Sequence, residues 1–458
     1  MGWFAGSASM KNKKNKCLAC ASCIFEELEP RILLSSSATT ISGPYTPYQM
    51  REAYQFSQLS FTNSLGQSVT ADGAGQTIAI IDAYYDPTIA SDVNTFDQNM
   101  SFDNKASLYQ EFGTASSFMT QAVAVGARSA VGSGWALETA LDVEWAHAIA
   151  PAAKILLVEA QNSSFGALFS AINYAKSVAG VDVVSMSWGS GEFSSEGAYD
   201  SAFTTPAGHQ GITFVASAGD YGGVTSYPAV SPNVLSVGGT TLNMTTNGTW
   251  ASESAWNDGG GGLSKYESKL SYQSGVETGS NKLASPDVSY DANPSTGVYV
   301  ADSSYMPGGT SWYEVGGTSA GAPQWAALVA IADQGRQLAG KTSLNGPAQL
   351  LPALFSAPSS DFHDITTGSN GYKAGPGFDL ATGLGSPIAS NLIPYLVSYS
   401  GSSQPSSGST SNNPVTHSSS NGGHQKDIML AVDTQVSGNA LDFLQAVKVG
   451  DPSGLDNT

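Results

Sequence analysis

The sequence predicts an α/β fold, a doubly wound sandwich in which a mostly parallel central sheet is flanked by helices. Three observations carry this. Thr77–Asp82, Lys154–Glu159, Val181–Ser187 and Gly211–Ser217 are short apolar runs that end in polar or glycine residues, the pattern of strands buried on both faces. Segments of helical length and spacing, among them Ala136–Ala150 and Phe165–Val178, separate them. Only 12% of residues are charged and 51 are glycine, which suits a turn-rich α/β protein better than a helical bundle. A strand–helix–strand order makes the sheet parallel and places ligands at the carboxyl ends of its strands.

With 458 residues, 41% of them hydrophobic, the chain can bury the core of one large domain or two ordinary ones, which excludes a wholly disordered protein. Acidic residues outnumber basic ones 37 to 18, and four of the lysines (Lys11, Lys13, Lys14, Lys16) sit together near the N-terminus. The rest is more acidic still, so nucleic acid is not expected as a partner. That balance suits a protein working in acid.

All three cysteines (Cys17, Cys20, Cys23) follow those lysines, and the body of the chain contains none, so it uses neither disulfides nor thiol chemistry. A CxxCxxC metal set lacks a fourth ligand. An export leader over residues 1–38 accounts for the segment better. The lysines are its charged region and Cys17–Phe25 its apolar region, and Leu28–Leu34 resembles the LEPR-x-LL motif of certain bacterial export leaders, with processing expected near Ser35–Ala38. The protein is therefore expected to be bacterial and secreted or displayed at the cell surface. No segment reaches the roughly 20 apolar residues of a transmembrane helix. One patterned domain spans residues 42–399, followed by a Ser/Gly/Asn-rich linker at 400–425 and a C-terminal tail at 426–458 too short for its own core.

Gly316-Gly-Thr-Ser-Ala-Gly-Ala-Pro323 precedes an apolar helical run, Gln324–Asp333. Ser319 thus stands at the foot of a helix whose amides and dipole favour a nucleophile and its developing oxyanion. An ordinary helix cap has the same look, with Pro323 in the first turn. GTSxxxP is shared by the subtilisin and sedolisin clans, so the base decides between them. A Ser-His-Asp triad needs a positioned imidazole, yet no HG[ST]H motif is present. Asp82 ends the first strand where a subtilisin holds its Asp, but Ala-Tyr-Tyr follows it.

Glu138 and Asp142 lie one helical turn apart, within about 40° of one face, whereas His147 lies about 180° from Glu138. A solvated acidic face is one reading of this pair. The surrounding Trp135, Ala136, Leu137, Ala140, Leu141, Val143 and Trp145 favour a buried pair instead, sharing a proton and accepting one from Ser319 at a pH near the carboxylate pKa of roughly 4. Asp220, in a Gly-rich turn after the Gly211–Ser217 run, is either a turn former or, when protonated, a hydrogen-bond donor to an oxyanion.

These motifs together resemble the sedolisin (serine-carboxyl peptidase) family, whose fold is subtilisin-like: Ala136–Asp142, Val184–Gly189, Ser217–Asp220, Gly316–Ser319 through Pro323-Gln-Trp, and His363–Gly368. The match runs from about Tyr45 to Tyr399. The resemblance implies Ser319 as nucleophile, Glu138 as general base and acid, Asp142 as its partner and Asp220 as the oxyanion-stabilising acid. It implies an endopeptidase acting at acidic pH on proteins or peptides through an acyl-enzyme, with Ser187-Trp-Gly189 lining the cleft. It also implies one structural Ca2+ held by Asp364 and Asp379 and the carbonyls of Ile365, Gly375 and Gly377, for which hard oxygen ligands are suited. The family's long folded propeptide is not carried over, because only residues 35–76 lie between the leader motif and the first core strand. A monomer is expected. Competing readings are a catalytically silent, calcium-stabilised extracellular binding protein and a neutral Ser-His-Asp peptidase using His147.

Overall fold

A computed structural model of the chain describes residues 40–41, 43–123, 133–304, 311–401, 441–442, 445–449 and 452. The expected leader (1–38), nearly all of the linker and most of the tail lie outside the described residues. The strands of the main sheet, with the β6 that follows β5, are β1 (Thr40–Ile41), β2 (Thr77–Ala83), β3 (Met119–Val123), β4 (Lys154–Ala160), β5 (Val183–Met186), β6 (Trp188–Gly191), β7 (Thr213–Ser217), β8 (Val234–Thr245), β9 (Trp250–Ala255) and β10 (Val288–Asp291). The main sheet runs β1-β8-β7-β5-β2-β4-β3, with β9 and β10 also paired to β8. Its centre is parallel, and only β1 and β9 run antiparallel to β8. A mostly parallel sheet was expected, and it follows from the strand–helix–strand order.

Alternation along the strands sends side chains to two separate cores. Ile78 and Ile80 of β2 join Val183, Val215 and Val237 under helices α2 (Ser133–Ile149) and α4 (Thr318–Leu338). Ala79 and Ile81 join Val184, Phe214 and Ala216 under α3 (Phe165–Ser177), on the opposite face. This is the helix–sheet–helix sandwich the sequence predicts, and the central strands are mostly apolar because both their faces are covered. Gly321 lets α4 approach the sheet closely, since a Cβ there would lie 2.9 Å from Val237 Cγ1 and 3.0 Å from Tyr290 Cβ.

Two details differ from expectation. The Val181–Ser187 run forms a shorter strand than expected, Val183–Met186, and the β6 that follows it leaves the main sheet to pair instead with Ser226–Tyr227. Pro323 lies inside α4, beyond its first turn. A proline has no N–H to give the carbonyl four residues back, which here is that of Ser319. That carbonyl is left open to another donor.

Beyond the main sheet, β11 (Val298–Asp302) pairs with β12 (Ser311–Gly316), whose far edge carries β14 (Gln445–Val449). The adjoining β13 (Leu441–Asp442) pairs with β6. Helices α1 (Ile89–Asn99) and α5 (Ala389–Ser398) pack against α2 and α4 respectively.

Candidate active site

The site gathers at the carboxyl ends of the central strands. Asp82 is the next-to-last residue of β2, Ser187 follows β5, and Asp220 lies three residues past β7. Over them, α4 presents Ser319 in its first turn. Gly317, immediately before α4, has φ 111°, a conformation that favours glycine and turns the chain sharply from β12 into the helix. Ser319 is fully buried. The first amides of α4 have no intrahelical acceptor, and that of Thr318 donates instead to Asp220.

Ser187 joins Ser319 to Asp142 of α2. The Ser319 hydroxyl donates to the Ser187 carbonyl at 3.3 Å. The Ser187 hydroxyl donates to Asp142 Oδ1 at 2.8 Å and lies 3.5 Å from the Ser319 carbonyl, the one Pro323 leaves open. Glu138 and Asp142 are both fully buried on α2, which packs along α4. The solvated-face reading of this pair is therefore wrong, because the helix is enclosed by core on all sides. Burial pushes the Asp142 carboxyl well above the usual carboxylate range, and the charge of Asp82 beside it adds to this. The Ser187 hydroxyl pulls it partly back. At acidic pH Asp142 is accordingly a neutral acid able to donate.

Asp220 is half-buried and fixed to the start of α4. Its Oδ1 accepts from both the amide and the hydroxyl of Thr318, each at 2.8 Å, and the Thr318 hydroxyl in turn accepts from the Gly219 amide at 3.0 Å. Asp220 therefore sits one residue from Ser319 through Thr318.

The described histidines lie elsewhere. His147 is fully buried, stacked on Phe118 with ring centroids 3.7 Å apart, and its Nε2 is 3.5 Å from Asp97 of α1. Burial lowers its pKa to about 3 and raises that of Asp97, so burial pushes both groups towards their neutral forms. As the helical spacing requires, it faces away from the Ser187 side of α2. His209 contacts the backbone of Val178 and Gln210, and His363 stacks on Trp250. None of these is an imidazole partner for Ser319.

In the loop expected to bind calcium, both oxygens of Asp364 accept from the Gly377 amide at 3.1 Å, and Asp379 Oδ2 accepts from the Gly375 amide at 2.9 Å. The two carboxylates thus converge on the segment that also offers the carbonyls of Gly375 and Gly377. No cluster of three or more His, Cys, Asp or Glu side chains occurs among the described residues, so a cation here would rely on carbonyl oxygens. Two carboxylates with carbonyls on one turn fit a hard divalent cation.

Several partnerships escaped sequence reasoning. Asp82 acts on Asp142 electrostatically, Thr318 clamps Asp220, and Trp188 Nε1 donates to the Ile81 carbonyl at 2.7 Å, locking β6 to the end of β2. The one sequence signal for Asp82 was an acid at a strand's carboxyl end.

Residues 69–344 match the model of the subtilase family. This chain belongs to that family, in its sedolisin group. It is 35% identical to kumamolisin from Bacillus sp. (strain MN-32) over 405 residues, covering 79% of this chain and 65% of that protein. Against sedolisin from Pseudomonas sp. (strain 101) it is 36% identical over 279 residues, covering 53% of this chain and 46% of that protein. The chain therefore spans about half to two thirds of these relatives' lengths. A solved Pseudomonas sedolisin, a serine-carboxyl proteinase complexed with two molecules of pseudo-iodotyrostatin, superposes with a TM-score of 0.63 at 28% identity, covering 78% of this chain and 98% of that one.

Proposed function

We propose that this sedolisin-group chain is a serine-carboxyl endopeptidase that hydrolyses protein or peptide substrates at acidic pH through an acyl-enzyme on Ser319. The observation that supports the reading is the Asp142–Ser187–Ser319 linkage, which joins one buried carboxyl of α2 to the nucleophile, with no described histidine beside it. Glu138 takes the Ser319 proton as Oγ attacks the scissile carbonyl carbon, then returns it to the leaving amine. Asp142, kept neutral by burial, orients Glu138. The oxyanion is held by the Ser319 amide and by protonated Asp220. Water then attacks the ester, with Glu138 again as base. Both the base and the oxyanion donor are carboxyl groups, so acid operation is a consequence of the mechanism.

We further propose that Asp364, Asp379 and the carbonyls of Ile365, Gly375 and Gly377 hold one structural Ca2+, and that the leader exports the protein from a bacterial cell. Convergence of both carboxylates on Gly375–Gly377 supports the metal reading. For the peptidase, the full chain and its Ser319→Ala variant are assayed on denatured protein between about pH 3 and 7. Cleavage by the parent that is absent from the variant is expected. No Ser319-dependent cleavage anywhere in that range overturns the proposal.

A further inference from the structure

We infer that the C-terminal strands Leu441–Asp442 and Gln445–Val449 are intramolecular occupants of the strand edges beside Ser319, and that they compete with substrate there. This inference rests on the peptidase reading for its consequence, although the docking itself stands on backbone pairing alone.

The two strands bracket the nucleophile. β13 pairs antiparallel with β6, placing Leu441 opposite Gly189 and Asp442 opposite Trp188. Trp188 directly follows Ser187, whose carbonyl accepts the Ser319 hydroxyl. β14 pairs antiparallel with β12 over its whole length, from Gln445 opposite Gly316 to Val449 opposite Trp312, and Gly316 lies three residues before Ser319. Only residues 443–444 separate the two pairings. The two pairings thus lie on the strand after the Ser187 carbonyl and on the strand that leads into the nucleophile. β13 also lies against α2, the helix of Glu138 and Asp142.

The edge it covers is one that would otherwise recruit an extended chain. At Trp188 and Gly189, β6 has no other described strand partner, since Ser226–Tyr227 pair with it only at Ser190 and Gly191. β12 is paired on its other side by β11, which leaves the β14 side as its open edge. Unpaired strand edges present rows of N–H and C=O groups that an extended peptide completes. A peptidase cleft binds its substrate in this mode, with backbone bonds giving affinity irrespective of sequence. A tethered occupant using the same mode is therefore a competitor. Its effective concentration on a tether is in the mM range, and with an intrinsic Kd of ~0.1 mM it would leave about one cleft in ten open.

The test uses the full chain. Proline cannot donate to a ladder, so Leu441→Pro, Asp442→Pro, Ala446→Pro and Val447→Pro together break both pairings without touching the catalytic groups. Two readouts are taken against the parent: amide hydrogen exchange of residues 188–191 and 311–316, and kcat and KM on a short fluorogenic peptide. The expected result is faster exchange in both strands, with KM falling about tenfold at unchanged kcat. A synthetic peptide of residues 438–452 should restore protection and inhibit the variant competitively. Exchange unchanged in both strands overturns the docking, whatever the activity. Faster exchange with KM and kcat unchanged overturns the competition with substrate. Faster exchange with no Ser319-dependent hydrolysis in either protein supports the docking and overturns the peptidase reading, so the two failures are distinguishable.

Discussion

Replacing Asp287 by asparagine is expected to flatten the loss of stability as pH rises. Asp287 is 3% exposed, and its carboxyl accepts from the Ser236 amide at 2.9 Å and from Gln273 Nε2 at 3.3 Å. Burial dominates these hydrogen bonds and raises its pKa to about 7. In the unfolded chain an aspartate titrates near 3.9. Between those values the folded protein binds the proton and the unfolded one does not, so stability falls as pH rises through this window and is fully retained below it. The shift of about three units corresponds to about 4 kcal/mol at 1.36 kcal/mol per unit. With an unfolding entropy of ~2.1 cal/mol/K per residue over roughly 350 residues, that is ~5 °C in Tm. Thermal unfolding of Ser319→Ala and Ser319→Ala/Asp287→Asn, which avoids self-digestion, measures it at pH 4 and pH 8. The drop in Tm between the two pH values should be ~5 °C smaller with asparagine. Equal drops would refute the assignment of this carboxyl as a proton held by the fold.

Other perturbations probe the site directly. Ser187→Ala removes the hydroxyl that lowers the Asp142 pKa, so the alkaline limb of kcat/KM should move to higher pH; a pH–rate profile shows whether it does. Asp220→Ala is expected to lower kcat by about 10²–10³ with little change in KM, whereas Asp220→Asn should retain more activity because its amide donates without needing a proton. Both follow from steady-state kinetics. Chelation of calcium should lower Tm by ~4 °C for a site held at a hundredfold over its Kd, a shift that scanning calorimetry resolves and that Asp379→Asn should abolish.

Much of this was legible in the sequence because the governing patterns are local. Apolar runs bounded by polar residues gave the parallel strands, and helical periodicity separated Glu138 and Asp142 from His147 before any coordinate did so. What stayed hidden depends on contacts distant in sequence. Ser187 looked like the end of a strand; its role arises because α4 brings Ser319 to its carbonyl across 132 residues. Pro323 read as a first-turn residue, yet its position four residues past Ser319 is what leaves the Ser319 carbonyl open to Ser187. Asp82 influences Asp142 only once β2 and α2 are packed together. The strands at Leu441–Val449 carry too little apolar patterning to identify a partner, and their pairing is set by edges that exist only in the folded domain.

The central claim, that carboxyl groups and no imidazole activate Ser319, is tested most directly by the pH dependence of kcat/KM in Glu138→Gln and His147→Gln compared with the parent on one peptide substrate. Loss of at least about 10³ in kcat for Glu138→Gln, with His147→Gln keeping the parent's acidic optimum and rate, is the expected result. A Glu138→Gln enzyme that keeps its rate while His147→Gln loses it would contradict the account.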